Sequence, residues 1–444
     1  MSDWSVLGGC MGQRRRHAAR RLMIMAGIVA LLATAGCGSG KGQVTRVKVL
    51  GTDANTGQSF AQAFHDQPGA IVAMRGTTPM SKLSEDFINR LKQRNPALTD
   101  FTFAAESYDA TVVTALAAQT ARTGHATVFA PFIDAVTTGG QSCNTFQQCV
   151  SILDAGGDID YDGVSGGLDF TDPGEPAVGS YGLIGYDDAS KPVAPTYLMT
   201  GDPKNASTKP SPPRPTTTTG GSLRLGALLP QTGGLSAYGP GMLAAVQLAV
   251  ADINAAGGVN RVDVTLAQGD DGTDPAVAQR AVRGLLDDSV DAIIGPGASS
   301  VCKGVIDSVT SAGVLLFSPA STSDEFTSYN DRGLFFRTAP PDALQARLLA
   351  NVIVQEGGRV VGLMYQNTTY GLGLATAIEQ DLVASGEVTK DDIMPVRYDP
   401  ASVDFGPYIK RLREKRPDFI VVVGYDESPR IVKALNHAGL GPKR

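Results

Sequence analysis

Few side chains in this sequence have the type and spacing to do chemistry. Gly163-Val164-Ser165-Gly166-Gly167 places a serine in the nucleophile-elbow pattern, but an Asp-rich stretch precedes it where a strand is required. Asp158, Asp160 and Asp162 with Gly163, and Asp169 at the twelfth position, imitate a calcium loop with Asp in place of the bidentate Glu. No flanking helices are evident there, so a structural turn is expected and no metal is assigned. Cys302 has no His or Asp at catalytic spacing and reads as a small core residue. Gly233-Gly234 ahead of a helical pattern could cradle phosphate, yet neither G-x-G-x-x-G nor a P-loop lysine is present. With four His in the chain, a His-rich metal centre is not expected. No catalytic residue, metal or cofactor is therefore assigned, and a binding protein is expected rather than an enzyme, with a secreted hydrolase as the alternative.

The elements that must carry any site come from a chain of 444 residues, 42% hydrophobic and 18% charged, enough to bury one or two substantial cores. Residues 1–36 contribute +4 to the net charge of −6, which leaves −10 on the remainder and argues against nucleic-acid binding. Arg14, Arg15, Arg16, Arg20 and Arg21 precede an apolar run from Leu22 to Ala35, the pattern of a secretory signal over residues 1–36. Ala33-Thr34-Ala35 fits an ordinary small-x-small cleavage site, which would release a soluble product. Gly36-Cys37-Gly38-Ser39-Gly40 instead resembles a bacterial lipoprotein site, which implies acylation at Cys37, a tether over 37–43 and a cell-membrane anchor. In that oxidising compartment Cys143 and Cys149, with five residues between them, read as a local disulfide, a two-Cys metal site being the alternative.

Residues 201–222 contain Lys209-Pro210-Ser211-Pro212-Pro213-Arg214-Pro215 and four consecutive Thr, a linker composition that resists helix and sheet and would span about 26 Å as a flexible coil. It separates 44–200 from 223–444. In the second part, strand-like runs (223–229, 262–267, 292–295, 314–317, 360–365, 419–424) alternate with helical patterns (240–256, 276–287, 343–356, 373–385, 428–438), which reads as parallel α/β. The first part offers strands at 47–51, 70–75 and 181–186 with helices near 85–93 and 108–122, too few strands to close a sheet alone.

Several stretches resemble the solute-binding proteins of branched-chain amino-acid ABC transporters. They are Gly226-Ala227-Leu228-Leu229-Pro230 through Ser236-Ala237-Tyr238-Gly239, Asp252-Ile253-Asn254-Ala255-Ala256-Gly257-Gly258, Ile294-Gly295-Pro296, Phe317-Ser318-Pro319-Ala320-Ser321-Thr322, Phe336-Arg337-Thr338 and Tyr370-Gly371. Gly51-Thr52-Asp53, Glu106-Ser107-Tyr108-Asp109-Ala110 and Tyr161-Asp162-Gly163 resemble that family's C-terminal half, although here they come first. The resemblance implies a type 1 periplasmic binding fold: α/β, two doubly wound parallel-sheet lobes joined by a three-segment hinge, in circularly permuted order. Lobe I would comprise 223–339 with about 82–169, and lobe II 340–444 with 44–80 and about 170–198. A fusion of parts from two different copies is the rival account.

By the same resemblance, the ligand carboxylate would meet Ser299, Ala320, Ser321 and Thr322 on lobe I, and its ammonium Asp53 on lobe II. Tyr370 and Tyr425 would be cleft aromatics and Tyr238 a cleft wall. The expected partners are a small amino acid or related solute, an ABC permease and, through the lipid, the membrane, with a monomeric chain. Amides, urea or aromatic acids are the alternative ligands on the same fold.

Overall fold

The computed structural model describes residues 47–219 and 221–442; the export segment, Cys37 and the tether lie outside the described residues. Fourteen strands follow in chain order. The first segment holds β1 (Lys48–Thr52), β2 (Met74–Pro79), β3 (Gln141–Cys143), β4 (Ile159–Tyr161), β5 (Val178–Gly185) and β6 (Thr196–Gly201). The second holds β7 (Arg224–Leu229), β8 (Thr265–Asp270), β9 (Ala292–Ile294), β10 (Leu315–Ser318), β11 (Phe335–Arg337), β12 (Val361–Gln366), β13 (Ile393–Tyr398) and β14 (Phe419–Val423).

Phe419-Ile420-Val421-Val422-Val423 is buried throughout, as a strand with both faces covered by helices must be. It cannot be a sheet edge, and β1 supplies its missing neighbour, pairing in parallel from Lys48 opposite Phe419 to Gly51 opposite Val422. The resulting seven-stranded sheet runs β13-β12-β14-β1-β2-β5-β6. Asn55 fastens the join: its side chain accepts from the Thr52 N–H at 2.7 Å and donates to the Val422 carbonyl at 2.9 Å. A Cβ on Gly51 would stand 2.3 Å from the Asn55 Oδ1, so this seam needs glycine there.

The five-stranded sheet, β11-β10-β9-β7-β8, is parallel and built wholly from the second segment, but its helical cover is shared. Helix 104–121 is buried almost end to end and packs on helix 239–255. The Tyr108 hydroxyl donates to Asp252 at 2.7 Å, and Arg90 ion-pairs with the same carboxylate. One core consequently mixes Leu91, Val112 and Phe129 with Leu225, Ile293 and Phe317. Residues 45–444 make one compact unit, within which the four strands of the first segment beyond β3 and β4 all enter the seven-stranded sheet.

Three expectations need correction. The seven-stranded sheet is mixed rather than parallel, because β5 runs antiparallel to both of its neighbours, β2 and β6, and a tight loop around Tyr186 and Pro192 joins it to β6 with no crossover helix between them. The strands expected at 262–267 and 70–75 begin at Thr265 and Met74. In the first, Val259 and Val262 pair across a turn whose central residues, Asn260 and Arg261, have positive φ, and this delays the strand. The 201–222 segment is not a loose coil. Gly201 ends β6, Arg214 binds the Gly157 carbonyl and Asp158, and the Thr219 N–H donates to Arg122, so the segment lies strapped along the body.

The small parallel pair β3 and β4 carries Cys143, whose sulfur is bonded to that of Cys149. Asp109 accepts from the Tyr161 hydroxyl and from both the N–H and the hydroxyl of Ser165. The elbow-like serine is thus the tie of a turn. Among the described residues no group of His, Cys, Asp or Glu has the arrangement of a metal site, and no helix is long and apolar enough to cross a membrane.

Candidate functional site

In open parallel sheets ligands gather outside the carboxyl ends of the strands, where the chain turns into helices. All eight residues expected at the cleft lie at such turns. Asp53 follows β1, Tyr425 follows β14 and Tyr370 opens helix 369–384 after β12. On the other sheet Tyr238 precedes helix 239–255, Ser299 opens helix 299–311 after β9, and Ala320, Ser321 and Thr322 follow β10.

On the seven-stranded side, the Tyr370 and Tyr425 rings stack with centroids 5.4 Å apart and planes 14° from parallel. The Tyr370 hydroxyl hydrogen-bonds the Thr52 hydroxyl at 2.8 Å. Asp53 sits beside them at φ 43°, a left-handed conformation that Asp tolerates better than most side chains. Burial pushes its carboxyl up to about 6, against the opposing pull of Tyr370 and Gln345. The Gln345 amide donates to Asp53 Oδ1 at 2.8 Å and to the Thr77 carbonyl at 3.0 Å.

Sequence reasoning missed a second acid. Asp342, the first residue of helix 342–355, is fully buried and neither carboxylate oxygen takes a hydrogen bond. Burial first, then Asp324 and Asp53, hold its carboxyl well above the usual range, against the opposing pull of Thr322 and of the Arg337 cation. The Tyr181 hydroxyl, buried without a partner, feels the same two acids, Asp53 and Asp342. After Pro340-Pro341 an Asp reads as a helix start, so only its burial reveals it.

On the five-stranded side the polar groups are knitted together. The Ser318 hydroxyl accepts from the Ser321 N–H at 2.9 Å and the Ala320 N–H at 3.4 Å. Two backbone N–H groups of this loop are thereby engaged. The Ser299 hydroxyl accepts from the Ser323 N–H at 3.3 Å, which leaves its own proton to give. Beneath this loop Arg337, 1% exposed, donates to the Ser321 and Ser323 carbonyls and ion-pairs with Glu175. The Phe336-Arg337-Thr338 motif signalled its importance but not this role.

The two sides meet. The Asp342 N–H donates to the Thr322 carbonyl at 2.8 Å, and the Tyr238 hydroxyl donates to the Ala54 carbonyl next to Asp53. A Cβ on Gly373 would lie 3.2 Å from the Ser323 hydroxyl and 3.5 Å from Asp342, so glycine lets this helix approach both. Buried acids with an excess of negative charge suit a cation, while hydroxyl and backbone donors suit an anion. The thiol of Cys302 is buried and pushed up to about 12, far from a reactive thiolate.

Comparison with known proteins adds the following. The chain is 28% identical over 225 residues to the Leu/Ile/Val-binding protein homolog 3 of Brucella melitensis, covering 49% of this chain and 59% of that one. It is 30% identical over 208 residues to the Leu/Ile/Val-binding protein BraC3 of Rhizobium johnstonii, covering 46% and 54%. The chain therefore spans less than two thirds of the length of these relatives. Among solved structures, the type 1 periplasmic binding protein of Bordetella pertussis aligns with a TM-score of 0.46 at 21% identity, over 50% of this chain and 60% of that one. The isoleucine complex of LivJ from Streptococcus pneumoniae aligns at 0.43 and 26%, over 50% and 62%. The family model described as periplasmic binding protein matches residues 222–444, half of the chain, and the protein belongs to that family.

Proposed function

We propose that the chain is an extracytoplasmic solute-binding protein that encloses a small amino acid, branched-chain or related, between its two sheets and delivers it to an ABC permease. One observation carries the reading: two buried acids, Asp53 and Asp342, lie by the stacked tyrosines with no ion-pair partner among the described residues, opposite loops rich in hydroxyls. An α-ammonium supplies that charge, and its carboxylate takes the Ser299 and Thr322 side. The same acids disfavour aromatic acids, which bring a carboxylate and no ammonium. Relatives named for leucine, isoleucine and valine support the ligand class. Acylation at Cys37 would keep the protein at the membrane face where a permease works.

In this reading the two segments form one binding protein in circularly permuted order, supported by the parallel seam of β1 with β14 and by the shared core. A folded unit of this kind unfolds in one cooperative transition; two independent transitions would favour the fusion account. Isothermal titration of the purified chain with leucine, isoleucine, valine, urea and 4-hydroxybenzoate tests the ligand. Saturable heat with the amino acids supports the reading, and heat with the aromatic acid alone sinks it.

A further inference from the structure

A cavity of about 300 Å³ lies where the chain crosses between the sheets, apart from the cleft. Met80 and Leu83 line it from the crossing segment, Phe101 and Phe103 from the five-stranded side, Ile184 and Tyr197 from the β5–β6 ribbon. None of Asp53, Asp342, Tyr370, Tyr425 or Ser299 belongs to its wall. The wall is mainly apolar, and it contains Asp100 and Glu106 but no Lys or Arg.

Asp100 is already engaged, accepting from the hydroxyls of Ser59 at 3.0 Å and Thr102 at 2.7 Å. Glu106 differs. Its residue is 5% exposed, its carbonyl takes the Thr338 hydroxyl at 2.9 Å, and no other side chain among the described residues hydrogen-bonds its carboxylate. Burial, with Asp109 nearby, pushes that carboxyl up to about 8, and only its own backbone N–H opposes the shift. An acid held this way inside an apolar wall is stabilised by whatever brings it a positive charge.

We infer that this cavity is a second ligand site, for a small amphipathic amine whose ammonium meets Glu106 and whose apolar body fills the space between Met80, Phe101 and Ile184. Small-molecule sites share this make-up of apolar walls and a few convergent polar groups, and the volume is at the small end of their range. Its walls come from the seven-stranded sheet, from the loop and helix start at 99–106 that belong to the cover of the five-stranded one, and from the segment between them, so an occupant touches parts that move apart whenever the two sides separate. Such a ligand is coupled to the cleft ligand, and by linkage each changes the affinity of the other by the same factor.

The test is isothermal titration of the full chain with 2-phenylethylamine, run beside 3-phenylpropionate, which offers a similar body with the opposite charge. Saturable binding of the amine alone is expected, weakened at least about tenfold by Glu106→Gln. Leu83→Trp, which narrows the mouth from a partly exposed position, weakens it independently should the glutamine variant fold poorly. Asp53→Asn, which disables the cleft, leaves amine binding in place. No binding by the parent chain, equal binding by Glu106→Gln and Leu83→Trp, or loss in Asp53→Asn would each overturn the assignment, the last by placing the amine in the cleft.

Discussion

The two faces of the cleft treat charge in opposite ways. Under the five-stranded face, the buried cation Arg337 is balanced inside the protein by Glu175 and spends its remaining donors on the Ser321 and Ser323 carbonyls. Under the seven-stranded face, Asp53 and Asp342 are buried with no ion pair among the described residues, Asp342 feeling the Arg337 cation only at a distance. The first arrangement fixes a loop whether or not a ligand is present. In the proposed function the second is completed by a positive group from the ligand, and so would set affinity rather than shape.

Breaking the second face therefore has the largest effect on binding. Asp53→Asn keeps the left-handed φ and removes the charge; leucine affinity is expected to fall on the order of a hundredfold by titration calorimetry, because truncating a buried charge partner costs about 2–5 kcal/mol. Unchanged affinity would remove Asp53 from the site. Arg337→Met strikes the first face instead. It strands Glu175 and is expected to cost about 3–5 kcal/mol of stability in denaturant melts. The double variant Arg337→Met, Glu175→Gln should recover much of that loss, and failure to recover would mean the pair is not the source.

The pH dependence separates the faces further. Asp53 has a folded value raised from 3.8 to about 6, so it binds its proton more tightly when folded. Its contribution, on the order of 3 kcal/mol, is fully present below about pH 4 and is lost as pH rises through about 6. In the ligand-free state, the stability of the parent chain relative to Asp53→Asn should fall across that window. Leucine affinity should rise across it, as the carboxylate forms; parallel profiles for the two proteins would contradict both statements. The smallest effect is expected from Ser299→Ala, a few-fold loss of leucine affinity, since one neutral hydrogen bond contributes about 1 kcal/mol.

Legibility in the sequence followed the same division. Asp53 and Tyr370 stood in motifs, Tyr425 followed an apolar strand-like run, and the turns after parallel strands that carry them have strong local signals. Asp342 and Tyr181 did not, because what distinguishes them is burial without a partner, a property of the assembled sheets. Strand β13 was not foreseen since Pro395 interrupts its pattern; at a sheet edge the missing N–H costs nothing to the ladder. Strand β6, also an edge, is largely exposed, and its short Thr-Tyr-Leu-Met-Thr-Gly run leads straight into the linker with no helix after it to mark a strand. The central strands, apolar and fully covered, were the readable ones.

The strapped 201–222 segment joins the two sheets along the outside of the body. It leaves the edge of the seven-stranded sheet at Gly201 and the five-stranded sheet begins at Arg224, so it is a connection between the two that lies outside the crossing segments. Ordinary hinge strands lie where the sheets pivot and change length little. A long outer connection would work like a check-rein: the stroke of any opening would be set by how much slack it can release, beginning at the grips of Arg214 on Gly157 and Asp158.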